Sequence, residues 1–385
     1  MTKHATIHAV HRIPARVDVL VVGGGPAGAM AALVTARAGL RTLLVDRVAH
    51  PREKVCGCCL APLGQRVIER TGLGELLEPS RSVRRVRIRC GGRSCSVQRP
   101  GTAVLSRGEL DGGLLRAAQQ AGACLAWPFA ATIEPGEFTR LRGPDGECRI
   151  SARVRIAADG LQGSALAGQP RFAMHVGSRN RMGLGAILAS NAAAVDPDEI
   201  VMCVSRHGYA GLVRLPDGRI DAAAAVRPER VRALGGVAPC MRELLGAAVP
   251  DPSALSEAAW HGTPLLRRRR HHLHDETTIV AGDSAGYVEP FTGEGMGWAL
   301  ATGEAAGEHA AAVLAGHRAM RTWDARARSL TRSAHARCSL TALLLRAPAL
   351  VQGGIAIANR WPRLASRVAR EMGSSAPLLE TPCRT

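Results

Sequence analysis

Three glycines near the amino terminus have the spacing of a phosphate-binding loop. Gly23, Gly25 and Gly28 form the pattern G-x-G-x-x-G, and an acidic residue, Asp46, follows 18 residues after the last of them. In such a loop the first glycine permits a tight turn, the second lets a pyrophosphate approach the backbone, and the third lets a helix pack closely on a strand. A carboxylate at the position of Asp46 would bind a ribose hydroxyl. These residues therefore predict dinucleotide binding.

The elements around these glycines are those that this chemistry requires. Residues 17–22 are apolar and β-branched, which indicates a buried strand, and the glycines follow at once. An alanine-rich helix is predicted to run to about residue 38, where Gly39 ends it, and residues 41–46 form a second strand. Free N–H groups at the start of the helix favour a bound anion. The agreement of strand, helix, second strand and acid favours a Rossmann-type unit over an ordinary glycine-rich turn.

A second glycine-rich segment follows another predicted buried strand, at residues 277–281. Asp283 stands between small residues just after that strand, and Gly293, Gly295 and Gly297 precede a helix predicted to run to about residue 312. Backbone amides left open at the start of that helix favour negative charge on a ligand. Two nucleotide-like sites in one chain fit a long, two-part cofactor, and we predict FAD.

The composition limits the classes of protein to which the chain can belong. Its 385 residues suffice for two packed domains, and its net charge is +18, almost all of it arginine. So basic a surface favours an anionic membrane face or nucleic acid. Aromatic residues make up only 3% and the sequence contains no nucleic-acid-binding motif, so we predict no nucleic-acid partner. Peripheral membrane contact stays an alternative, because residues 340–355 are apolar.

Other features bear on location. Residues 1–16 are basic and lack the apolar core of a signal peptide, and the sequence has no uninterrupted apolar run long enough for a transmembrane helix. Eleven unevenly spaced cysteines fit a reducing compartment better than a disulfide framework. We therefore expect a cytoplasmic protein, with membrane association as the alternative.

Three cysteines, Cys56, Cys58 and Cys59, lie close together after the second strand. A structural zinc site usually has four ligands, often in two spaced pairs, and no matching cysteine–histidine cluster follows, so we predict no metal. The alternative is a redox pair of Cys56 with Cys58 or Cys59 that exchanges electrons with a flavin. Lys54, in the same loop, is one of only two lysines in the chain, which draws attention to it.

The order of elements predicts an α/β fold with a Rossmann-like FAD-binding domain, an inserted mixed-sheet (α+β) substrate domain and a C-terminal helical segment. Residues 15–170 are assigned to the first part of the FAD-binding domain and residues 272–315 to its second part. Residues 171–271 are strand-rich and form the substrate domain, whose sheet the hairpin at 83–100 is expected to join. Residues 316–385 are predicted to be mostly helical.

Taken together, these motifs resemble the FAD-dependent aromatic hydroxylase superfamily of flavin monooxygenases. The resemblance runs from about residue 17 to residue 312, with the motifs in the expected order and spacing. Within that superfamily, residues 54–57 and 282–297 are most similar to the geranylgeranyl reductase branch. The resemblance is carried by the glycines at 23–28, Asp46 with Arg47, Arg107, Asp159 with Gly160, and Gly282 with Asp283.

The resemblance implies roles for residues along the length of FAD. Asp46 would bind the adenosine ribose, Arg47 would lie near the adenine, and Arg107 would contact the phosphate or ribityl region. Asp159 would help to hold FAD and, as in the hydroxylases, NAD(P)H, which we expect to be the electron donor. Asp283 would bind the ribityl chain. The residues that it implies beside the isoalloxazine ring are Gly293, Glu294 and Gly295.

A substrate pocket beside the ring is also implied, with Cys56 and Gly57 at its edge. Further candidates for its lining are Lys54, Tyr209 and Pro290. We predict that Cys56, Tyr209 and Glu294 converge on this pocket, although they come from distant parts of the chain. Cys56 and Glu294 are the candidate catalytic residues, because either could donate a proton to a substrate carbon.

Residues 208–218 depart from the branch's substrate-lining pattern, Y-x-W-x-F-P. Gly211, Val213 and Leu215 stand where the pattern has its aromatic residues, and Tyr209 lies two residues early, on the same face of a predicted strand. A geranylgeranyl substrate is therefore in doubt, and the pocket floor is expected to be more open.

The expected reaction begins with hydride transfer from NAD(P)H to FAD. The reduced flavin would then saturate a carbon–carbon double bond of a hydrophobic polyprenyl, quinone or polyketide-like molecule. The first alternative is a single-component monooxygenase that hydroxylates an aromatic or polyketide substrate. The second is a flavin electron carrier without substrate turnover, which the strand-rich residues 171–271 disfavour because a carrier needs no such pocket.

Overall fold

The computed structural model describes residues 6–177, 180–289, 291 and 293–373, so Pro290, one of the residues expected in the pocket, lies outside the described residues. The strands, numbered along the chain, are β1 (Arg16–Val22), β2 (Thr42–Val45), β3 (Cys59–Leu60), β4 (Arg81–Cys90), β5 (Arg93–Val104), β6 (Cys124–Ala126), β7 (Ala130–Ile133), β8 (Phe138–Gly143), β9 (Gly146–Ala157), β10 (Met174–Val176), β11 (Met182–Leu188), β12 (Glu199–Ser205), β13 (Gly208–Arg214), β14 (Ile220–Val226), β15 (His261–Leu265), β16 (Arg268–Arg270), β17 (Thr278–Val280) and β18 (Gly286–Tyr287). The α-helices are α1 (Pro26–Arg37), α2 (Pro62–Arg70), α3 (Arg107–Gln120), α4 (Pro228–Ala233), α5 (Val237–Leu245), α6 (Ser253–Glu257), α7 (Gly295–Leu314), α8 (Trp323–Leu344), α9 (Pro348–Arg360) and α10 (Pro362–Gly373).

The first sheet contains the predicted nucleotide-binding unit. Its strand order is β6-β2-β1-β9-β8-β7, and β17 also pairs with β9. The pairs β1–β2, β1–β9, β2–β6 and β9–β17 are parallel, whereas β7, β8 and β9 are joined by antiparallel pairs. The strands β1 and β2 are buried along most of their length, as expected where helices cover both faces of a parallel sheet. The α/β fold class with a Rossmann-like unit is confirmed.

Helices α1, α3 and α7 pack on this unit, and local signals define where they begin. Pro26 lies in the first turn of α1, where its missing N–H costs no hydrogen bond. Before α3, the hydroxyl of Ser106 accepts a hydrogen bond from the N–H of Glu109 at 3.1 Å, which is half of a capping box. Helix α1 therefore begins where the sequence predicts, and α3 begins at a sequence signal of the same local kind.

The second sheet has eight strands in the order β15-β11-β14-β13-β12-β4-β5-β3. Most of its pairs are antiparallel, but β4 and β12 are parallel, so the hairpin β4–β5 lies in the same sheet as strands from residues 182–265. Helices α4, α5 and α6 follow β14, and buried residues of α5 and α6 pack against one face of this sheet. A small third sheet, β10-β16-β18, lies beside the segment that contains Asp283.

The C-terminal part of the described chain is helical. Trp323, at the start of α8, is fully buried, and its indole N–H donates to the carbonyl oxygen of Val280 at 2.9 Å, which fixes α8 to the nucleotide-binding unit. Helices α9 and α10 pack on β5 of the second sheet. Within the described residues, no single helix has the length and apolar character of a membrane span; residues Met320–Leu344 and Pro348–Arg360 meet those criteria only as a pair bent by 101°.

Two glycines of α7 allow it to cross α1 at very short range. A Cβ atom added to Gly303 would lie 2.2 Å from the carbonyl oxygen of Ala27, and one added to Gly307 would lie 2.9 Å from that of Ala31. Since real Cβ atoms do not come so close to a carbonyl, only glycine fits at these two positions. The crossing brings the helix after the first glycine-rich loop against the helix after the second.

Candidate FAD and substrate site

A cavity of about 640 Å³ lies between the first and the second sheet. This volume is within the range of small-molecule and cofactor sites. Of the predicted cofactor residues, those that line it are Gly23, Gly25, Asp46, Arg47, Arg107, Asp159, Asp283, Gly293 and Gly295. Of the predicted pocket residues, those that line it are Lys54, Cys56, Gly57 and Tyr209. The structure therefore brings both predicted glycine-rich segments and the substrate-domain tyrosine to one cavity.

The first glycine-rich loop has the shape of a phosphate cradle. Gly23 has a φ of +110°, and an added Cβ would lie 2.4 Å from the carbonyl oxygen of Ala158. Gly28 lies beneath the loop, where a Cβ would come 1.8 Å from the carbonyl oxygen of Gly23. At Gly25, by contrast, the nearest heavy atom to an added Cβ is 3.9 Å away, on the guanidinium of Arg107. The backbone at the start of α1 is thus open toward the cavity, as an approaching pyrophosphate requires.

Asp46 stands at the end of β2 within reach of several donors. Its carboxylate accepts hydrogen bonds from the N–H of Gly24 at 2.7 Å and of Val48 at 3.0 Å. His50 and Arg52 each have a side-chain nitrogen 3.2 Å from the same carboxylate. Burial alone would raise its pKa, but these donors outweigh burial and lower the pKa of Asp46 to about 2. The group is therefore an anion at any physiological pH, as a ribose-binding carboxylate should be.

Asp159 joins the end of β9 to the second glycine-rich segment. Its carboxylate accepts a hydrogen bond from the Ser284 hydroxyl at 2.6 Å and from the N–H of Ala165 at 2.8 Å. These contacts hold the residues around Asp283 against the first sheet. The structure shows this bridging contact directly, while the predicted contact of Asp159 with a cofactor stays a prediction.

Asp283 and Lys54 face the middle of the cavity from opposite parts of the chain. Burial raises the pKa of Asp283, and the positive charges of Lys54 and Arg107 oppose that rise. Burial likewise lowers the pKa of Lys54. The opposite charge of each side chain therefore offsets part of the free-energy cost of burying the other as an ion. Both side chains line the cavity, where a polar chain such as the ribityl group would contact them.

Arg107 forms the basic centre of this region. It is 5% exposed, and its guanidinium donates to the Asp111 carboxylate at 3.1 and 2.7 Å, one helical turn along α3. Its charge and a hydrogen bond also reach the thiol of Cys56. Asp111 holds the guanidinium in place, so that its positive charge is directed at the cavity rather than at solvent.

The cysteine loop contains one thiol with an unusual acidity. A hydrogen bond from Cys58 lowers the pKa of Cys56 to about 6; burial opposes this effect and the charge of Arg107 adds to it. The same hydrogen bond and burial raise the pKa of Cys58. A thiol with so low a pKa is mainly a thiolate at neutral pH, so Cys56 accepts a proton more readily than it donates one. Within the described residues no group of three or more metal-ligating side chains is found.

Asp221 of β14 is a functional candidate that the sequence reasoning missed. It is 4% exposed, lines the cavity, and contacts Cys58 through a hydrogen bond, while its Oδ2 has no hydrogen-bond partner. Burial raises the pKa of this carboxyl well above its ordinary value, and the negative charge of Cys56 adds to the rise. Burial and the charge of Cys56 therefore both favour the protonated form of Asp221. A lone acidic residue inside an otherwise apolar strand, 220–226, was the available signal.

Tyr209 of β13 lines the cavity from the second sheet. Its ring packs edge-to-face with that of Phe291, with centroids 5.1 Å apart, and the guanidinium of Arg181 lies 5.5 Å from the centroid of the Tyr209 ring. Arg181 is paired with Glu289 at 3.1 Å, and both side chains are almost completely buried. Burial raises the pKa of Tyr209, and the nearby Glu289 adds to the rise. The phenol of Tyr209 therefore stays neutral at neutral pH. Its ring, packed on Phe291, contributes apolar surface to the cavity lining.

Glu294 is the exception among the converging residues, and the prediction that it faces the pocket was wrong. Its side chain is fully buried and does not contribute to the described lining of the cavity. The carboxylate instead points toward α8, where the thiol of Cys338 lies 3.8 Å from its Oε2. Burial raises the pKa of Glu294, and the charges of Arg337 and Arg99 oppose this effect. The residue before α7 is thus turned away from the cavity by the helix that packs behind it.

The residues present fit FAD at both ends of the cavity. At one end, the open backbone at Gly25 and the start of α1 suit a pyrophosphate, and the anionic Asp46 suits a ribose. At the other end, Asp283 and the start of α7 at Gly295 suit the polar chain and the ring that follow. These assignments use only groups that line the cavity.

Comparison with known sequences identifies relatives across most of the chain. A family model described as an FAD binding domain matches residues 16–337. The menaquinone reductase of Mycobacterium tuberculosis is 28% identical over 328 residues, which cover 76% of this chain and 76% of the relative. The digeranylgeranylglycerophospholipid reductase 2 of Methanopyrus kandleri is 27% identical over 319 residues, which cover 77% of each chain.

The fold is also similar to solved structures. A geranylgeranyl bacteriochlorophyll reductase-like protein of Thermoplasma acidophilum matches with a TM-score of 0.70 at 19% identity, over 93% of this chain and 99% of that one. At this level of identity the likeness supports the fold, and the chemistry must be argued from the cavity itself.

Proposed function

Since the chain belongs to the family defined by this FAD binding domain and is an FAD-dependent oxidoreductase, we propose that it uses NAD(P)H to reduce a carbon–carbon double bond of a hydrophobic substrate. The observation that carries this proposal is the shared cavity, which has phosphate-binding loops at one end and apolar strands of the second sheet at the other. The names of the two sequence relatives, a quinone reductase and a prenyl-lipid reductase, support reduction of a lipid-like molecule.

The wall that faces the substrate is apolar. The residues of the second sheet and its neighbours that form it include Val86, Ile200, Met202, Val213 and Leu266. Such a wall favours a hydrophobic molecule because apolar surface on both partners leaves water together. Gly211 also lines it, where the pattern of the related branch has an aromatic residue, and the sulfur of Met202 lies 2.9 Å from where a Cβ atom of residue 211 would be, so Met202 fills the space beside this glycine.

When bound between the glycine-rich loops, FAD would supply the two-electron chemistry that carries a hydride equivalent from NAD(P)H to a substrate carbon. Saturation of a double bond needs one proton in addition. Asp221 is a carboxyl group of the cavity lining whose pKa is raised by burial, and its Oδ2 makes no hydrogen bond within the described residues. We assign the proton to this group, in place of Cys56 and Glu294.

Product mass tests the proposed reaction. The holoenzyme is incubated with NADH or NADPH and a series of polyprenyl, quinone and polyketide substrates, with and without oxygen. We expect a gain of two hydrogens that does not require oxygen. A gain of one oxygen would instead identify a monooxygenase, and oxidation of NAD(P)H without any altered substrate would indicate an electron carrier; either result overturns the proposal.

Asp221→Asn tests the assigned proton donor. The amide keeps the size of the side chain but holds no acidic proton, and loss of a general acid typically costs 10²- to 10⁴-fold in rate. We expect stopped-flow absorbance to show normal reduction of FAD by NAD(P)H and slow reoxidation by substrate. Cys58→Ser, which keeps a hydrogen-bonding side chain of similar size beside Asp221, is the matched control. Reoxidation of the Asp221→Asn enzyme at the parent rate would remove Asp221 from the mechanism.

A further inference from the structure

The C-terminal helices expose an unusual amount of apolar surface. Of the eleven large apolar side chains that are exposed in the described part of the chain, eight lie between residues 340 and 368. They are Leu340, Leu343, Leu344, Leu350, Ile357, Trp361, Leu364 and Val368, with exposed fractions from 44% to 61%. Together with the arginines between them, we call this surface the C-terminal apolar face. A concentration of this kind marks an interaction surface.

The opposite side of the same helices is bound to the substrate wall. Leu345, Ile355 and Ala358 are buried in one cluster with Met202 and Tyr209, both of which line the cavity. Polar contacts add to this packing, since the Asn359 side chain donates to the carbonyl oxygen of Ser94 at 2.9 Å. The helices therefore form a cover, with the substrate wall on its inner side and the C-terminal apolar face on its outer side.

The charge around this face has one sign. Between Asp324 and Glu371 the sequence contains nine arginines and no acidic residue, and of these arginines Arg326 and Arg328 form salt bridges with Glu308 and Asp324. Arg360, Arg363 and Arg367 are exposed on α9 and α10, beside the apolar side chains. Trp361 is 53% exposed and lies next to Arg360, whose guanidinium is 5.9 Å from the indole ring. Exposed leucines with tryptophan and arginine are typical of helices that lie in the interface of an anionic bilayer.

A second copy of the chain is a poorer occupant. A twofold contact places the same patch on both partners, so the exposed Arg360 and Arg363 of one copy would face the same like charges of the other. Anionic lipid headgroups supply the missing charge, and acyl chains cover the leucines. We propose that the C-terminal apolar face docks the enzyme on an anionic membrane and that a lipid-soluble substrate reaches the cavity from that side.

The docking itself is independent of the reaction, whereas the route of the substrate rests on the proposed function. Full-length holoprotein is centrifuged with sucrose-loaded vesicles of phosphatidylcholine, with and without phosphatidylglycerol. We expect binding to depend on phosphatidylglycerol and to weaken roughly fivefold for each of Arg360→Gln, Arg363→Gln and Arg367→Gln. The triple variant Leu350→Ser, Ile357→Ser, Leu364→Ser should bind roughly a hundredfold more weakly.

A matched control uses exposed apolar residues elsewhere on the surface. Val48→Ser, Phe138→Ser and Val176→Ser remove three comparable side chains from outside the face and should leave vesicle binding unchanged. Circular dichroism and FAD content confirm that both triple variants are folded. The proposal would be overturned if the two triple variants bound vesicles equally well. It would also be overturned if the parent bound equally well to vesicles with and without phosphatidylglycerol. A dimer in sedimentation velocity that only the variant of the face abolishes would overturn it as well.

Activity separates this inference from the proposed function. The variant of the face should reduce a short-chain, water-soluble substrate analogue at the parent rate and should lose at least tenfold in rate on substrate embedded in vesicles. Vesicle binding without reductase activity would contradict the proposed function alone. Unchanged activity of this variant on embedded substrate would contradict the membrane route alone.

Discussion

The acidity of Cys56 offers a sharp test of the electrostatics of the cavity. A fall in the pKa of this thiol from 9.0 to about 6 makes it roughly 90% thiolate at pH 7, against about 1% for an ordinary cysteine. The largest cause is the hydrogen bond that Cys58 gives to the thiolate, ahead of the charge of Arg107. Removing that donor should therefore raise the pKa measurably.

The variant Cys58→Ala removes the donor and keeps the Cβ atom. A hydrogen bond to a charged group contributes about 1.5–3 kcal/mol, and 1.36 kcal/mol corresponds to one pKa unit, so the pKa of Cys56 should rise from about 6 to roughly 7–8. Cys58→Ser keeps a donor of similar geometry and should change the value little. Cys58 has a positive φ of +48°, a backbone conformation that is about equally unfavourable for alanine and for serine. Backbone strain therefore does not distinguish the two variants.

Site-resolved alkylation measures this pKa among eleven cysteines. The holoenzyme is treated briefly with iodoacetamide between pH 4.5 and 10, and labelling of the peptide that contains Cys56 is quantified by mass spectrometry. We expect the labelling rate to reach a plateau above about pH 7 in the parent and in Cys58→Ser, and at higher pH in Cys58→Ala. A midpoint near 9 in the parent, or identical midpoints in all three proteins, would refute the reasoning.

Three further predictions concern the cofactor site and the residue behind it. Gly28→Ala should abolish FAD binding, because its Cβ would lie 1.8 Å from a carbonyl oxygen, whereas Gly74→Ala, which meets nothing within 4 Å, should bind FAD normally in a fluorescence titration. Asp283→Ala should lower FAD affinity roughly tenfold to a hundredfold, since a hydrogen bond that a hydroxyl donates to a carboxylate contributes about 1.5–3 kcal/mol; unchanged affinity would remove the ribityl assignment. Glu294 has a raised pKa in the folded state, so it costs stability as pH rises above the unfolded value of about 4.3, and Glu294→Gln should stabilise the protein more at pH 8 than at pH 4 in urea unfolding. A pH-independent difference between Glu294→Gln and the parent would contradict the burial beside Cys338.

The nucleotide-binding unit was predictable because its signals are local. The strand, the glycines, the helix and the final acid follow one another within about thirty residues, in the order that a dinucleotide-binding unit requires. The capping box at Ser106 is equally local, and the structure shows its backbone hydrogen bond. The second sheet was less predictable, since its parallel pair β4–β12 joins strands more than a hundred residues apart, and sequence patterns do not specify such partners.

The orientation of single side chains explains the remaining differences. Glu294 stands in a glycine-rich loop where either direction is open, and its direction depends on Cys338 of α8, which lies 44 residues further along the chain. Asp221 sits in a strand of alanines, where its importance depends on a cysteine loop from another part of the fold. In both cases the deciding contact comes from a distant segment, so no local pattern could have shown it.

The close crossing of α1 and α7 has a consequence for how the enzyme tolerates change. A Cβ atom added to Gly303 would meet only the backbone of Ala27, and one added to Gly307 would meet the carbonyl oxygen of Ala31 at 2.9 Å as well as the side chain of Val34, so trimming a neighbouring side chain would not relieve either clash completely. A larger side chain at either position would increase the distance between α1 and α7 and would move their amino-terminal ends. These two ends form the two halves of the proposed cofactor site. A random screen for variants that lose their yellow colour should therefore return these two positions, although they lie outside the cavity lining. Cofactor affinity in this protein therefore depends in part on the geometry of this helix crossing. Gly303 and Gly307 should tolerate substitution as poorly as the residues that would contact the flavin.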